Sequence, residues 1–92
     1  VIASEKMEGS KKLLKNQIKI GNETRQILSG ISPHYTPEDM VGKKVIVLTN
    51  LPPRKMMGEM SYGMILAAED ENGTLSLATV DKADFADGSL LG

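Results

Sequence analysis

Cysteine and tryptophan are absent from this chain of 92 residues, and His34 is its one histidine. Without thiols there are no disulfides and no thiolate metal sites, and a lone histidine leaves little for zinc, so neither a metal nor another cofactor is expected. The lack of cysteine is compatible with a reducing compartment. No apolar run approaches the ~20 residues that a membrane span requires, and no signal-peptide pattern is visible. The expectation is a cytoplasmic chain with no membrane partner. Aromatic residues amount to 3%, namely Tyr35, Tyr62 and Phe85, too few for a surface built on many stacked bases.

What is present is ordinary for a globular domain: 40% hydrophobic and 25% charged residues. A chain of this size forms one domain, residues 1–92, and buries roughly 60 to 65% of its unfolded surface. The net charge of −1 conceals an asymmetry. Residues 1–55 hold ten Lys/Arg against five Asp/Glu, whereas residues 56–92 hold one against seven. The asymmetry either disperses over the folded surface or produces a basic face, and the placement of the cations decides between them.

Val1 and Ile2 open within an apolar pattern and read as the end of a first strand that is truncated. Glu5 to Ser10 reads as a polar loop broken by Gly9, with Lys11 and Lys12 at its exit. From Leu14 to Ile20 the residues Leu14, Ile18 and Ile20 share one face with the exceptional Asn16, opposite Lys15, Gln17 and Lys19, at the period of a strand. Gly21-Asn22 is a hairpin signal and Thr24 to Ser29 the returning strand, its inward face left open. Thr36 fits an N-cap, Pro37 the first helical position, Glu38 and Asp39 the positive end of the dipole, and Gly42 the stop of a one- or two-turn helix. Lys43 to Thr49 resumes as a strand that is apolar on both faces and expected to be buried. Asn50 to Met60 is loop chemistry: Pro52 and Pro53 remove two donors and stiffen a loop that carries Arg54 and Lys55. Tyr62 to Ala68 and Leu75 to Thr79 are strands joined by a turn at Asp70-Glu71-Asn72-Gly73. The tail from Asp81, with Phe85, Leu90 and Leu91, has no clear period.

The order of three strands, a short helix and two strands predicts an all-β protein. It corresponds to the OB-fold, a five-stranded Greek-key barrel with its helix between strands 3 and 4, here with additional C-terminal strands. Another small β-barrel is the runner-up. OB-folds bind oligonucleotides across strands two and three and through the loops joining strands one to two and four to five. Those loops are Met7 to Lys12 and Asn50 to Met60, the two that carry Lys11-Lys12 and Arg54-Lys55, which raises the basic-face reading.

The residues also resemble a known family, the tRNA-binding domain at the C-terminus of many bacterial methionyl-tRNA synthetases, found too as free-standing tRNA-binding proteins and in related eukaryotic cofactors. The matching segments are Lys12 to Lys15, Glu23 to Ile31, Tyr35-Thr36-Pro37-Glu38 with Val41-Gly42-Lys43, Asn50 to Lys55, and Gly58 through Ser61 to Gly63-Met64. The resemblance implies an OB-fold, a homodimer in many members, no catalysis in this domain, and tRNA bound at its outer corner with little sequence preference. The synthetase catalytic body would then be a partner in cis. Two departures stand out. Met7-Glu8-Gly9-Ser10-Lys11-Lys12-Leu13 keeps only the last Lys-Leu of a His-Pro-Asn-Ala-Asp-Lys-Leu-like loop, a variant that favours the synthetase-attached branch. Ser61-Tyr62-Gly63-Met64 stands where Ser-Glu-Gly-Met is frequent, exchanging a carboxylate for a phenol.

The candidate tRNA-binding residues are Lys12, Arg25, Arg54, Lys55, Ser61, Tyr62 and Met64. Two adjacent loop cations such as Arg54 and Lys55 are ordinarily just solvated; the proline lead and the resemblance reverse that. Arg25 is as suited to a hydrogen-bond network beneath the loops as to a phosphate. Met56, Met57, Met60 and Met64 form an adaptable apolar cluster, of which Met64 could touch RNA. Lys11, Lys15 and Lys19 read as the wet face of a strand. A folded RNA, recognised by shape, phosphate and 2′-OH contacts, suits the low aromatic content. A protein-interaction or dimerisation module with incidental RNA affinity is the alternative; a small enzyme is disfavoured, since no nucleophile-base pair, metal cluster or cofactor motif is evident.

Overall fold

The computed structural model describes residues 1–32, 34–82, 86, 88 and 89. Strands β1 (Ala3–Lys6), β2 (Leu14–Ile20) and β3 (Glu23–Ser29) form an antiparallel sheet in that order. The alternation of β2 is realised as predicted: Leu14, Asn16 and Ile18 are buried, and Lys15, Gln17 and Lys19 are more exposed. A two-residue turn pairs Ile20 with Glu23, and positive φ at Gly21 (61°) supplies the conformation such a turn needs. Both Ile27 and Leu28 of β3 are buried. Ile27 joins the main core with Leu14, Ile18, Ile31, Met40 and Ile65, whereas Leu28 lies outside that cluster.

Asn16 is fully buried in this apolar setting and fully partnered. Its Oδ1 accepts from Ser4 Oγ at 2.7 Å, and its Nδ2 donates to the Ile27 carbonyl at 3.2 Å, so one amide ties β2 to both neighbours. That satisfies the requirement that buried polar groups be hydrogen-bonded.

The expected polar loop from Glu5 begins later, because β1 continues through Lys6. An edge strand needs little hydrophobic signal: Ser4 meets Asn16, and Glu5, paired in register with Lys15, meets its ammonium at 2.9 Å.

Helix α1 (Pro37–Met40) is one turn, closed by a reciprocal cap. Thr36 Oγ1 accepts from the Asp39 N–H at 3.2 Å and Asp39 Oδ2 accepts from the Thr36 N–H at 3.1 Å. These bonds, with Lys43 nearby, hold the Asp39 carboxyl below its usual range. Met40 is fully buried and seals the core.

The seven-residue strand expected at Lys43 to Thr49 contracts to β4 (Val47–Leu48), paired with β7 (Met64–Ile65), and Leu48 is exposed rather than buried. Its neighbours spend their carbonyls on scattered partners instead of one ladder. Lys43 O accepts from the Val1 amine (2.7 Å), Lys44 O from Thr79 Oγ1 (2.6 Å) and Ile46 O from the Leu66 N–H (2.9 Å).

The proline loop also differs from its expectation. Beyond Pro53 the chain folds into a hairpin of β5 (Arg54–Met56) and β6 (Glu59–Ser61). Its turn residues Met57 and Gly58 have φ of 52° and 82°. Positive φ at both central positions is the I′ geometry, for which Asn-Gly is the usual signal and Met-Gly is not. The expected strand from Tyr62 to Ala68 is broken into β7 and β8 (Ala67–Glu69), and β8 pairs with β9 (Leu75–Leu77). Asp70 Oδ1 builds the connecting turn by accepting from the N–H groups of Asn72 and Thr74, both at 2.9 Å.

The described residues are thus mostly β with almost no helix, in one three-stranded and three two-stranded sheets that are not closed into a barrel. Phe85, Leu90 and Leu91 lie outside the described residues.

Candidate nucleic-acid interface

Pro52 and Pro53 lead into the β5-β6 hairpin without having to donate to its ladder, and Arg54 and Lys55 follow, both exposed, opposite Ser61 and Met60. At the tip, the Met57 methyl lies 3.6 Å from where a Cβ on Gly9 would stand. The hairpin tip therefore lies beside Gly9 of the loop of residues 7–13. Ser10 Oγ shapes that loop by accepting from the Leu13 N–H at 3.2 Å, and the Lys12 carbonyl accepts from the Ser32 N–H at 2.9 Å. Lys11 and Lys12 are exposed on it. The tip of the hairpin that carries Arg54 and Lys55 thus neighbours the loop that carries Lys11 and Lys12.

The hairpin is fastened to β3 at its base. Ser61, expected among the contact residues, is 2% exposed; its Oγ accepts from the Leu28 N–H at 3.0 Å and donates to the Gly63 carbonyl at 3.1 Å. Its hydroxyl thus ties the base of the hairpin to β3. Tyr62 donates its N–H to the Gln26 carbonyl at 2.8 Å. Gly63 follows at φ 153°, where an added Cβ would stand 2.8 Å from the Leu48 carbonyl oxygen. Only glycine lets β7 approach β4 this closely.

Arg25 has three hydrogen-bond partners. Nη1 donates to the carbonyls of Thr49 (2.9 Å) and Tyr62 (3.2 Å), and Nε to Glu23 Oε1 (3.1 Å). It clamps the end of β4 to the segment between β6 and β7, with its charge balanced by Glu23. Lys15 is likewise engaged, between Glu5 at 2.9 Å and Glu59 at 3.8 Å. The hydrogen bond to Glu5 is the main reason that its pKa is raised.

Lys12, Arg54 and Lys55 thus remain as exposed cations, while the rings and thioethers are represented by Tyr62 (42% exposed), Met64 (48%) and Met57 (58%). Tyr62 also lines an open cleft of about 590 Å³ together with Gln17, Arg25, Gln26, Leu51 and Pro53. Gln17, Gln26 and Glu59 were not among the sequence candidates. Gln17 Nε2 donates to Gln26 Oε1 (3.1 Å), and Gln26 Nε2 to Glu59 Oε2 (3.0 Å) and the Met60 carbonyl (2.9 Å). Part of this was available, since a two-residue turn at Gly21-Asn22 places Gln17 opposite Gln26.

A family model described as "Putative tRNA binding domain" matches residues 1–88. The methionine-tRNA ligase of Methanocaldococcus jannaschii is 58% identical over 82 residues, covering 89% of this chain and 13% of that protein. A MetRS related protein from Pyrococcus horikoshii superposes with a TM-score of 0.90 at 39% identity, covering 97% of this chain and 81% of the other. The chaperone CsaA of Bacillus anthracis superposes with a TM-score of 0.88 at 22% identity, covering 100% of this chain and 84% of the other, a likeness of fold alone.

Proposed function

Because the chain belongs to the putative tRNA binding domain family, a non-catalytic module, we propose that it holds folded tRNA by its phosphate backbone between the 7–13 loop and the β5-β6 hairpin. Lys12, Arg54 and Lys55 are the phosphate ligands, Tyr62 and Met64 contact the RNA, and Arg25 and Ser61 position the frame. The observation that carries this reading is the approach of the Met57 methyl to Gly9, which sets the tip of the hairpin beside the 7–13 loop.

The proposed framework is an OB-type strand order. Three links support it beyond the ladders: Ile2 N–H to Gln17 O (2.9 Å) with Gly42 N–H to Val1 O (2.8 Å), Tyr62 N–H to Gln26 O (2.8 Å), and Leu66 N–H to Ile46 O (2.9 Å). They run from β2 through the chain start to the β4 segment, and from β3 through Tyr62 toward β7. In that order the two loops stand where OB-folds bind oligonucleotides.

The chain spans 13% of the M. jannaschii ligase it matches. In such a cytoplasmic protein, the module would raise the local concentration of tRNA for a linked catalytic body, a gain from tethering. A homodimer is proposed as well, supported by exposed Ile2, Val41 and Leu48 and by an apolar groove along Val45 to Leu48. The double charge reversal Arg54→Glu with Lys55→Glu tests the site: tRNA affinity is expected to fall at least tenfold in a protein that still folds and sediments as the wild type does. Undiminished affinity would refute the site and leave dimerisation as the module's main role.

A further inference from the structure

The cleft beside Tyr62 differs in kind from the cationic ridge, and we propose that it receives a single unstacked nucleobase of the bound RNA. This inference rests on the tRNA-binding reading and adds a second mode of contact to it. The one cation lining the cleft, Arg25, is paired with Glu23 at 3.1 Å and spends Nη1 on two carbonyls, so the cleft offers no net attraction to phosphate. The remaining lining combines an aromatic ring, the apolar Leu51 and Pro53, Thr24 and Thr49, and the amides of Gln17 and Gln26. A flat, uncharged group with hydrogen-bonding edges fits that chemistry, and a nucleobase of folded tRNA is such a group.

Preorganisation is the second element. Tyr62 is 42% exposed, yet its backbone is held at both ends, the N–H by Gln26 and the carbonyl by Arg25. A ring on a fixed mount loses little freedom on stacking. Leu51, also 40% exposed, lines the same space. Position is the third: Pro53 lines the cleft and Arg54 is the next residue, so a nucleotide whose phosphate meets Arg54 has its base within reach of Tyr62.

The test compares Tyr62→Ala and Tyr62→Phe with the wild type, titrating each with an unmodified tRNA transcript at several salt concentrations. Loss of one base stack corresponds to about a tenfold weakening or more. Tyr62→Ala is expected to lose that factor with an unchanged salt slope, because no phosphate contact is removed, and Tyr62→Phe to restore it. Equal thermal midpoints establish that the frame is intact; should Tyr62→Ala melt early, Tyr35→Phe, whose one tyrosine is Tyr62, decides the matter: quenching of its fluorescence by tRNA supports the base cleft, and no quenching overturns it. Wild-type affinity in Tyr62→Ala, alongside loss in the Arg54 and Lys55 reversal, would overturn the base cleft and leave the phosphate ridge standing. Absence of tRNA binding by the wild type would overturn both.

Discussion

Gly63 and Asn16 are the positions where single atoms decide most. At Gly63 both the backbone angle and the Leu48 carbonyl oppose a side chain. Gly63→Ala is expected to destabilise the domain by roughly 1–3 kcal/mol, read from a denaturant midpoint, since strained backbone of this kind carries such costs. Asn16→Ala would leave Ser4 Oγ and the Ile27 carbonyl without their shared partner, with a loss of about 1–3 kcal/mol. Asn16 was visible in the sequence as a polar exception on an inward face; its partner Ser4 was not, because it lies on a β1 strand whose polar residues resemble a loop. Arg25 shows the same limit. A sequence displays a cation, but only the fold reveals that Thr49, Tyr62 and Glu23 already occupy it.

At the scale of elements, α1 and the β5-β6 hairpin behave oppositely. The helix was legible because Thr36, Pro37 and Asp39 each state their role locally, and the reciprocal cap is what those residue types make. Its Asp39 has a folded pKa below the ordinary 3.8. Its contribution to stability is therefore present above about pH 3.8 and disappears as pH falls through the lower folded value. Thermal midpoints of the wild type should fall more between pH 5 and pH 2 than those of Asp39→Asn; parallel curves would show that the cap does not titrate with folding. The hairpin was hidden because Met57 occupies a left-handed position that local preference assigns to Asn or Gly. Met57→Asn should relieve that conformation and raise the midpoint by a few degrees, on the order of 0.5–1 kcal/mol. A lower midpoint would show that the Met57 contact with Gly9 outweighs the turn.

Over the whole molecule, the excess of cations in residues 1–55 proves less informative than their engagement. Lys15 and Arg25 are paired with Glu5, Glu59 and Glu23, whereas Lys12, Arg54 and Lys55 are exposed, and the proposed ridge draws on those three. The β2-β3 hairpin was legible from alternation and turn residues, whereas β1, the β5-β6 hairpin and the ladder lengths were not. Backbone groups near Lys43 to Ile46 take partners from Val1, Leu66 and Thr79, far along the chain, and no local pattern encodes such bonds. The central claim is that tRNA is held through phosphates on this ridge, and the dependence of the binding constant on salt tests it most directly. About three to five phosphate contacts per protomer predict a log-log slope of about −2 to −4 for the wild type, made shallower by roughly one to two in Arg54→Ala/Lys55→Ala. A flat wild-type slope, or a steep one unchanged by that double substitution, would contradict the account.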